Sequence, residues 1–311
     1  MKNTLSYKID NELEELKKEL DSYRPLPKET AISLEKHLML LYNQESNAIE
    51  GNSLTLSETK VLLESGITAK GKPFKDHLDI INHQKAIEFL KDLIKEKTPL
   101  SKRDILDFHY LLLKGSENEK YAGIFRNVPV FITGSTHKTT PPYLLEKEME
   151  DLLIWHNEAL KENLNPVIRS AILHTKFARI HPFIDGNGRT ARLLLNTELL
   201  KVGYPMAIIK KEDRADYYEA LENVGNNEDF SDIVAFIQKE VKETAKFILD
   251  VVGQAKHKEE IDKLNNDLEN IKDLSSDFNK IFEDDKEKTI KNRSNSIRKN
   301  KQWIIFQGGK H

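Results

Sequence analysis

Apolar positions recur at helical spacing along most of the chain and divide it into a succession of amphipathic segments. Ile9, Leu13, Leu16 and Leu20 form one stripe, ended by Pro25 and Pro27. A second helix is predicted over about 29–51, with Ala31, Leu34, Leu38, Leu41, Tyr42 and Ile49 on one face and Gly51 as its C-cap. Leu56–Glu64 reads as a short helix closed by Gly66, and Asp79–Lys97 as a longer one stopped near Pro99. Ser101, with Asp104 three residues on, caps a helix bearing Ile105, Phe108, Leu112 and Leu113. Tyr143 to about Leu160, Pro166–Ile180, Arg189–Lys201, Asp213–Glu222 and Phe230–Val252 complete the set. Apolar residues on more than one face of Arg189–Lys201 mark it as a central, buried helix. Val128, Val130 and Ile132 alternate with Pro129 and Phe131, which predicts a short edge strand. Gly134-Ser135 turns it back as a small hairpin, and Pro141-Pro142 stops it. The fold class expected is all-α with one small β-hairpin.

The organisation expected is an N-terminal helical region (1–99), a core (100–250) and a charged tail (251–311). Beyond Gly253 the composition shifts to Lys, Glu, Asp and Asn. Ile261, Leu264, Leu268, Ile271 and Leu274 keep a partial heptad-like spacing, the mark of an exposed helix or partner arm grading into disorder. Lys288–Lys301 is locally basic, and Trp303-Ile304-Ile305-Phe306 suggests no role. With 38% hydrophobic and 32% charged residues, a sizeable core is expected under a heavily charged surface. A net charge of -3 gives no reason to expect general nucleic-acid affinity. No apolar run approaches the roughly 18 residues of a membrane span, and Met1–Asp21 has no apolar signal core. The chain has no cysteine, which excludes disulfides and thiolate metal sites and fits a cytoplasmic setting.

The chemistry concentrates in His181-Pro182-Phe183-Ile184-Asp185-Gly186-Asn187-Gly188-Arg189-Thr190-Ala191-Arg192. Gly186-Asn187-Gly188 falls at the N-terminus of the central helix, where free backbone N–H groups and the positive dipole end make an anion site. Glycines let a phosphate approach closely. Arg189 and Arg192, three residues apart, can reach one anion with forked donors. Asp185 sits at the lip, as a lone carboxylate does when it shares Mg²⁺ with a polyphosphate. His181 titrates near neutrality and is suited to taking a hydroxyl proton. A bare Asp-Gly-Asn-Gly turn accounts for Asp185–Gly188, but not for two arginines on an inner helix or for the His-Pro-Phe beside it.

This stretch matches the Fic signature, His-x-Phe-x-[Asp/Glu]-Gly-Asn-Gly-Arg-x-x-Arg, at every defined position, and the resemblance covers roughly residues 30 to 250. It implies a Fic-type helical bundle and a protein adenylyltransferase that moves AMP from ATP to a Ser, Thr or Tyr hydroxyl of a target protein. By position His181 is then the base, and Asp185 the Mg²⁺ ligand. Gly186, Asn187, Gly188 and Arg189 hold the α- and β-phosphates, Arg192 holds the γ-phosphate, and Thr190 falls within the same ATP-binding run. The intact Gly-Asn-Gly-Arg disfavours the kinase-like Doc branch. Residues 128–142 resemble the family's flap, which clamps the target by strand addition, with Gly134 and His137 over the nucleotide. Tyr217 and Tyr218 fall where the family has an aromatic pair beside the adenine. The resemblance also implies possible self-modification and a homodimer, although no stretch specifies an interface.

Ser46-Asn47-Ala48-Ile49-Glu50-Gly51 is the second informative stretch. Glu50 lies in a helix's last turn, where negative charge opposes the dipole by about 0.3–1 kcal/mol. Ser46 is four residues earlier on the same face. The stretch is similar to the Fic inhibitory motif, [Ser/Thr]-x-x-x-Glu-[Gly/Asn], placed ahead of the core. The resemblance implies that Glu50 pairs with Arg192, denies it to the γ-phosphate, and in some members positions water to remove AMP again. Three other readings stand beside this one: a Fic-fold transferase of UMP, one of phosphocholine, and a regulator whose C-terminal basic segment binds DNA. Gly66–Pro73 nearly spells a P-loop but has Pro73 where the Mg²⁺-binding hydroxyl belongs. His174, inside an apolar helix, reads as a core histidine. His77, His83 and His109 show no metal-ligand spacing.

Overall fold

Side chains that close a first turn set where four of the described helices begin. The computed structural model describes residues 7–96, 98–256, 258, 260, 261, 263–266, 268, 269 and 288. Helix α1 (Asn11–Ser22) is capped by Asp10, whose carboxylate accepts from Glu12 N at 2.9 Å. Helix α2 spans Lys28–Ile49. Helix α3 (Leu56–Ser65) opens on a reciprocal Thr55/Glu58 capping box and closes on Gly66 at φ +69°. Helix α4 (Phe74–Glu96) begins five residues ahead of the expected Asp79, and Lys97 lies outside the described residues. Ser101 and Asp104 form the expected box ahead of α5 (Lys102–Leu113). Helices α6 (Leu145–Lys161), α7 (Pro166–Ile180), α8 (Asn187–Lys201) and α9 (Arg214–Glu222) follow, and a tenth, α10, covers 231–252.

α8 is the axis of the fold. Leu193 and Leu194 enter a core shared with α4, α5, α6 and α7, around Phe108, Met149, Phe177 and Phe183. Leu195 and Leu199 enter a second core, with Leu13 of α1, Ile172 of α7, Tyr217 of α9 and Ile237 of α10. All four leucines are fully buried. That explains the apolar residues on every side: α8 buries two faces, and only Gly188 near its start and Leu200 and Lys201 at its end are partly exposed.

The expected hairpin is not formed. No residue among those described is in a strand, and residues 127–141 run as an irregular loop. The alternation at Val128–Ile132 lacks a partner, because Pro129 has no N–H to give a ladder. The loop is held by side chains instead. Arg126 donates from Nη1 to Val128 O (2.9 Å) and from Nη2 to Thr140 O, joining the two roots. Thr139 Oγ1 donates to Val130 O (2.7 Å) midway.

The chain divides into one unit over Met1–Val252 and another over Gly253–His311. In the second, the described residues up to 269 are helical, and Ile261, Leu264 and Leu268 are exposed. Ile271, Leu274, Trp303–Phe306 and all of Lys288–Lys301 except Lys288 lie outside the described residues. No described helix is long and apolar enough to cross a membrane.

Candidate active site

The turn between α7 and α8 is shaped by two residues in left-handed conformation. His181 ends α7 at φ +53°, and Gly186 precedes α8 at φ +75°. A histidine in that region is uncommon, and the surroundings hold it there. Its N–H bonds Phe177 O (3.0 Å), and its own carbonyl accepts from Arg126 Nε (2.8 Å). Asn187 fixes the rest of the turn: its Oδ1 accepts from Phe183 N and its Nδ2 donates to Phe183 O, both at 2.9 Å. This side-chain bracket lets α8 start at Asn187, ahead of the expected Arg189. Phe183 is buried and stacks on His109 with ring centroids 3.6 Å apart.

His181 Nδ1 lies 3.2 Å from Ala178 O. A carbonyl only accepts, so Nδ1 carries the proton and Nε2 keeps its lone pair. Burial, helped by the Arg126 charge, pushes the His181 pKa below its ordinary value, against the pull of Ala178 O and Glu50. The imidazole is therefore neutral near pH 7 and competent as a base.

Asp185 Oδ1 accepts from Gly186 N (2.6 Å) and Oδ2 from Asn118 Nδ2 (3.1 Å). Burial acts to raise its pKa, but Arg189, the Gly186 N–H and Asn118 together hold the carboxyl below its usual range. It is ionised and 38% exposed at the side chain. A fixed, ionised, partly open carboxylate at a helix N-terminus suits a cation shared with phosphates.

The two arginines differ. Arg189 is turned inward and donates from Nη1 to Asp79 Oδ1 at 2.7 Å, with Asp185 Oδ1 3.9 Å from its Nη2. Arg192 is 2% exposed. It donates from Nε to Ser46 Oγ (2.9 Å), and from Nη2 to Ser46 O (2.7 Å) and Glu50 Oε1 (2.8 Å). Burial disfavours the Arg192 charge, but the Glu50 carboxylate outweighs it and raises the pKa. Burial likewise acts to raise the pKa of Glu50, and Arg192 overrides it and lowers it. The Glu50 carboxylate lies against Gly188, where any Cβ would collide with Oε1. Glu50 thus occupies the first turn of α8, the place a phosphate would take.

The structure therefore brings Ser46, Glu50, Asp185, Gly186, Gly188 and Arg192 together beside His181. Other expected residues serve the scaffold. Thr190 is buried and donates from Oγ1 to Gly186 O (2.9 Å). Tyr217 is a core residue whose hydroxyl lies 2.8 Å from Nε2 of the buried His174, whereas Tyr218 is 39% exposed with Arg214 over its ring. Gly134 lies open at φ +83°, and His137 Nε2 is tethered to Arg179 O at 3.0 Å. Arg126, Asp79 and Asn118 go unnoticed as site residues in the sequence, and His109 is weighed there only as a metal ligand and set aside. His109 accepts from Gly123 N at Nδ1 (2.9 Å) and donates from Nε2 to Asp185 O (3.0 Å), mooring the acidic residue's backbone. Nothing local marks these residues, because each acts on a partner distant in the chain.

Residues 99–199 match the Fic/DOC family. The solved structure of Fic-1 (residues 134–508) from Caenorhabditis elegans is 32% identical, with a TM-score of 0.71, over 78% of this chain and 72% of that one. The chain belongs to the Fic family. A Fic-domain-containing signalling protein from Bacteroides thetaiotaomicron has a TM-score of 0.73 at 27% identity, over 78% of this chain and 97% of that one. Among curated Fic relatives, protein adenylyltransferase fic-1 of C. elegans is 36% identical over 222 residues, 70% of this chain and 43% of its own length. Protein adenylyltransferase Fic of Nematostella vectensis is 37% identical over 215 residues, 69% of this chain and 49% of its own. The chain spans less than half the length of these curated relatives. The His181–Arg192 turn just described lies within the residues that match the family.

Proposed function

We propose that this protein transfers AMP from ATP to a hydroxyl of a target protein, and that Glu50 restrains the reaction. The observation that carries the reading is the pairing of a neutral His181, its Nε2 lone pair free, with an anion site at the start of α8. The curated relatives named protein adenylyltransferases support the choice of reaction.

His181 Nε2 takes the proton of a Ser, Thr or Tyr hydroxyl as its oxygen bonds to the α-phosphorus. The bond from that phosphorus to the bridging oxygen breaks, and pyrophosphate leaves. Backbone N–H groups of Gly186–Gly188 meet developing negative charge, with the helix dipole behind them. Asp185 would hold Mg²⁺, which supplies charge neutralisation to the phosphates when bound. Tyr218 is the open aromatic available to the base. The loop 127–141 offers backbone outside any strand ladder to an extended target segment. A cytoplasmic setting fits the cysteine-free chain.

The restraint is competition: Arg192 cannot serve Glu50 and a γ-phosphate at once. With α-labelled ATP and total lysate protein, Glu50→Gly is expected to raise incorporation by about tenfold or more, from roughly 1.4 kcal/mol of lost competition. His181→Ala in that background should reduce it by about 10²–10⁴-fold. Equal incorporation by wild type and Glu50→Gly would rule out the restraint. Parallel reactions with UTP and CDP-choline identify the donor.

A further inference from the structure

The tip of the flap, loop 127–141, is fastened to α9 by a single carboxylate. Glu222, the last residue of α9, accepts from Ser135 Oγ on Oε2. Its Oε1 accepts from Thr136 N (2.8 Å) and from Thr136 Oγ1. These hydrogen bonds, from Ser135 first and then Thr136, hold the Glu222 carboxyl below its ordinary range. Ser135 Oγ also accepts from His137 N (3.0 Å), so the tip folds around one acceptor group.

A second line of bonds returns from the tip to α7. His137 Nε2 meets Arg179 O, and Arg179 Nη2 donates to Gly225 O (2.9 Å), just beyond Glu222. Arg179 lies two residues before His181. The tip is therefore tied on one side to the helix that carries Tyr217 and Tyr218, and on the other to the end of the helix that delivers the base.

The tie matters because the flap has no ladder of its own. An isolated two-stranded ribbon is marginal even with its cross-strand bonds, and here they are missing. Arg126 fixes the roots and Thr139 the middle, which leaves the tip to Glu222 on one side and the His137–Arg179 contact on the other, and of these Glu222 makes the larger number of bonds. The outer side of the same loop presents Phe131 at 91% exposure and Val128 at 45%.

We propose that Glu222 is a positioning residue that latches the flap tip, so that the flap meets its target in one preformed conformation. This rests on the adenylyl-transfer reading above. Latching lowers the ordering cost of docking, which is the usual benefit of preorganisation. The carboxylate touches neither the base nor the phosphate site.

Two measurements on the full chain test this. Hydrogen exchange reports the Thr136 amide directly, with no ligand present. Glu222→Ala should speed exchange there by about tenfold, the effect of losing one charge-assisted bond, while amides of α7 and α8 stay unchanged. Glu222→Gln keeps one carbonyl acceptor and should restore most of the protection. In the Glu50→Gly background, Glu222→Ala should lower labelled AMP incorporation into lysate protein several-fold, with the Kd for ATP within about twofold of its parent. Unchanged exchange at Thr136 overturns the latch. Faster exchange with undiminished incorporation overturns its part in target presentation. If the Glu50→Gly parent transfers no AMP, the adenylyl-transfer reading fails, and the exchange result alone decides whether the tip is latched.

Discussion

At the scale of single residues, the site is decided by which nitrogen or oxygen is already engaged. His181 has spent Nδ1 on Ala178 O, so its chemistry is confined to Nε2. Burial lowers its pKa, which fixes the sign of its pH response. The imidazole is inactive when protonated, so transfer by the Glu50→Gly variant rises as pH climbs through the lowered pKa. The acid limb of the rate profile should have its midpoint below the ordinary histidine value of about 6.5. A midpoint at or above that value in single-turnover measurements would assign the titration to another group. Gly188 makes a different residue-scale point. Only a residue without a Cβ lets the Glu50 carboxylate rest on the helix terminus. On the adenylyl-transfer reading, the same glycine serves a phosphate and the internal carboxylate alike.

At the scale of elements, the start of α8 depends on one side chain reaching back across the turn. Asn187 satisfies both the N–H and the C=O of Phe183. Asn187→Ala leaves two buried backbone groups without partners, at a cost of about 2–4 kcal/mol. The urea midpoint should fall accordingly, and Asn187→Asp, which keeps the acceptor, should recover part of the loss.

The helices themselves were legible because apolar residues at a period of 3.6 and capping side chains are local signals. The Ser101/Asp104 box and the Pro166–Ile180 boundaries are cases where local chemistry settled the element. The flap was not legible, because alternation at Val128–Ile132 specifies an extended chain but not a paired one. The signature turn stood out because its residue types make no sense as core. Asp79, Arg126 and Glu222 stayed hidden, since a lone charged residue on a helix or loop reads as solvated surface until its distant partner is known.

At the scale of the whole molecule, the pair of Glu50 and Arg192 joins the end of α2 to the central helix across 142 positions of sequence. On the adenylyl-transfer reading two events compete for one guanidinium, and linkage then makes the effect mutual: phosphate binding loosens the end of α2, and α2 docking weakens phosphate binding. Glu50→Gly leaves a buried Arg192 with fewer partners, so its unliganded stability should fall by about 1–3 kcal/mol. Saturating ATP and Mg²⁺ should then raise its melting temperature by more than they raise that of the wild type. Equal shifts in the two proteins, measured by scanning calorimetry, would count against the competition.

The two members of the pair are not equally reachable. The Arg192 side chain is 2% exposed, whereas that of Glu50, which follows the buried last turn of α2, is 37% exposed. Of the two, only Glu50 presents atoms to solvent, and the turn before it is buried from Ser46 to Ile49. On the adenylyl-transfer reading, a ligand that engages the carboxylate of Glu50 frees Arg192 without touching the guanidinium itself.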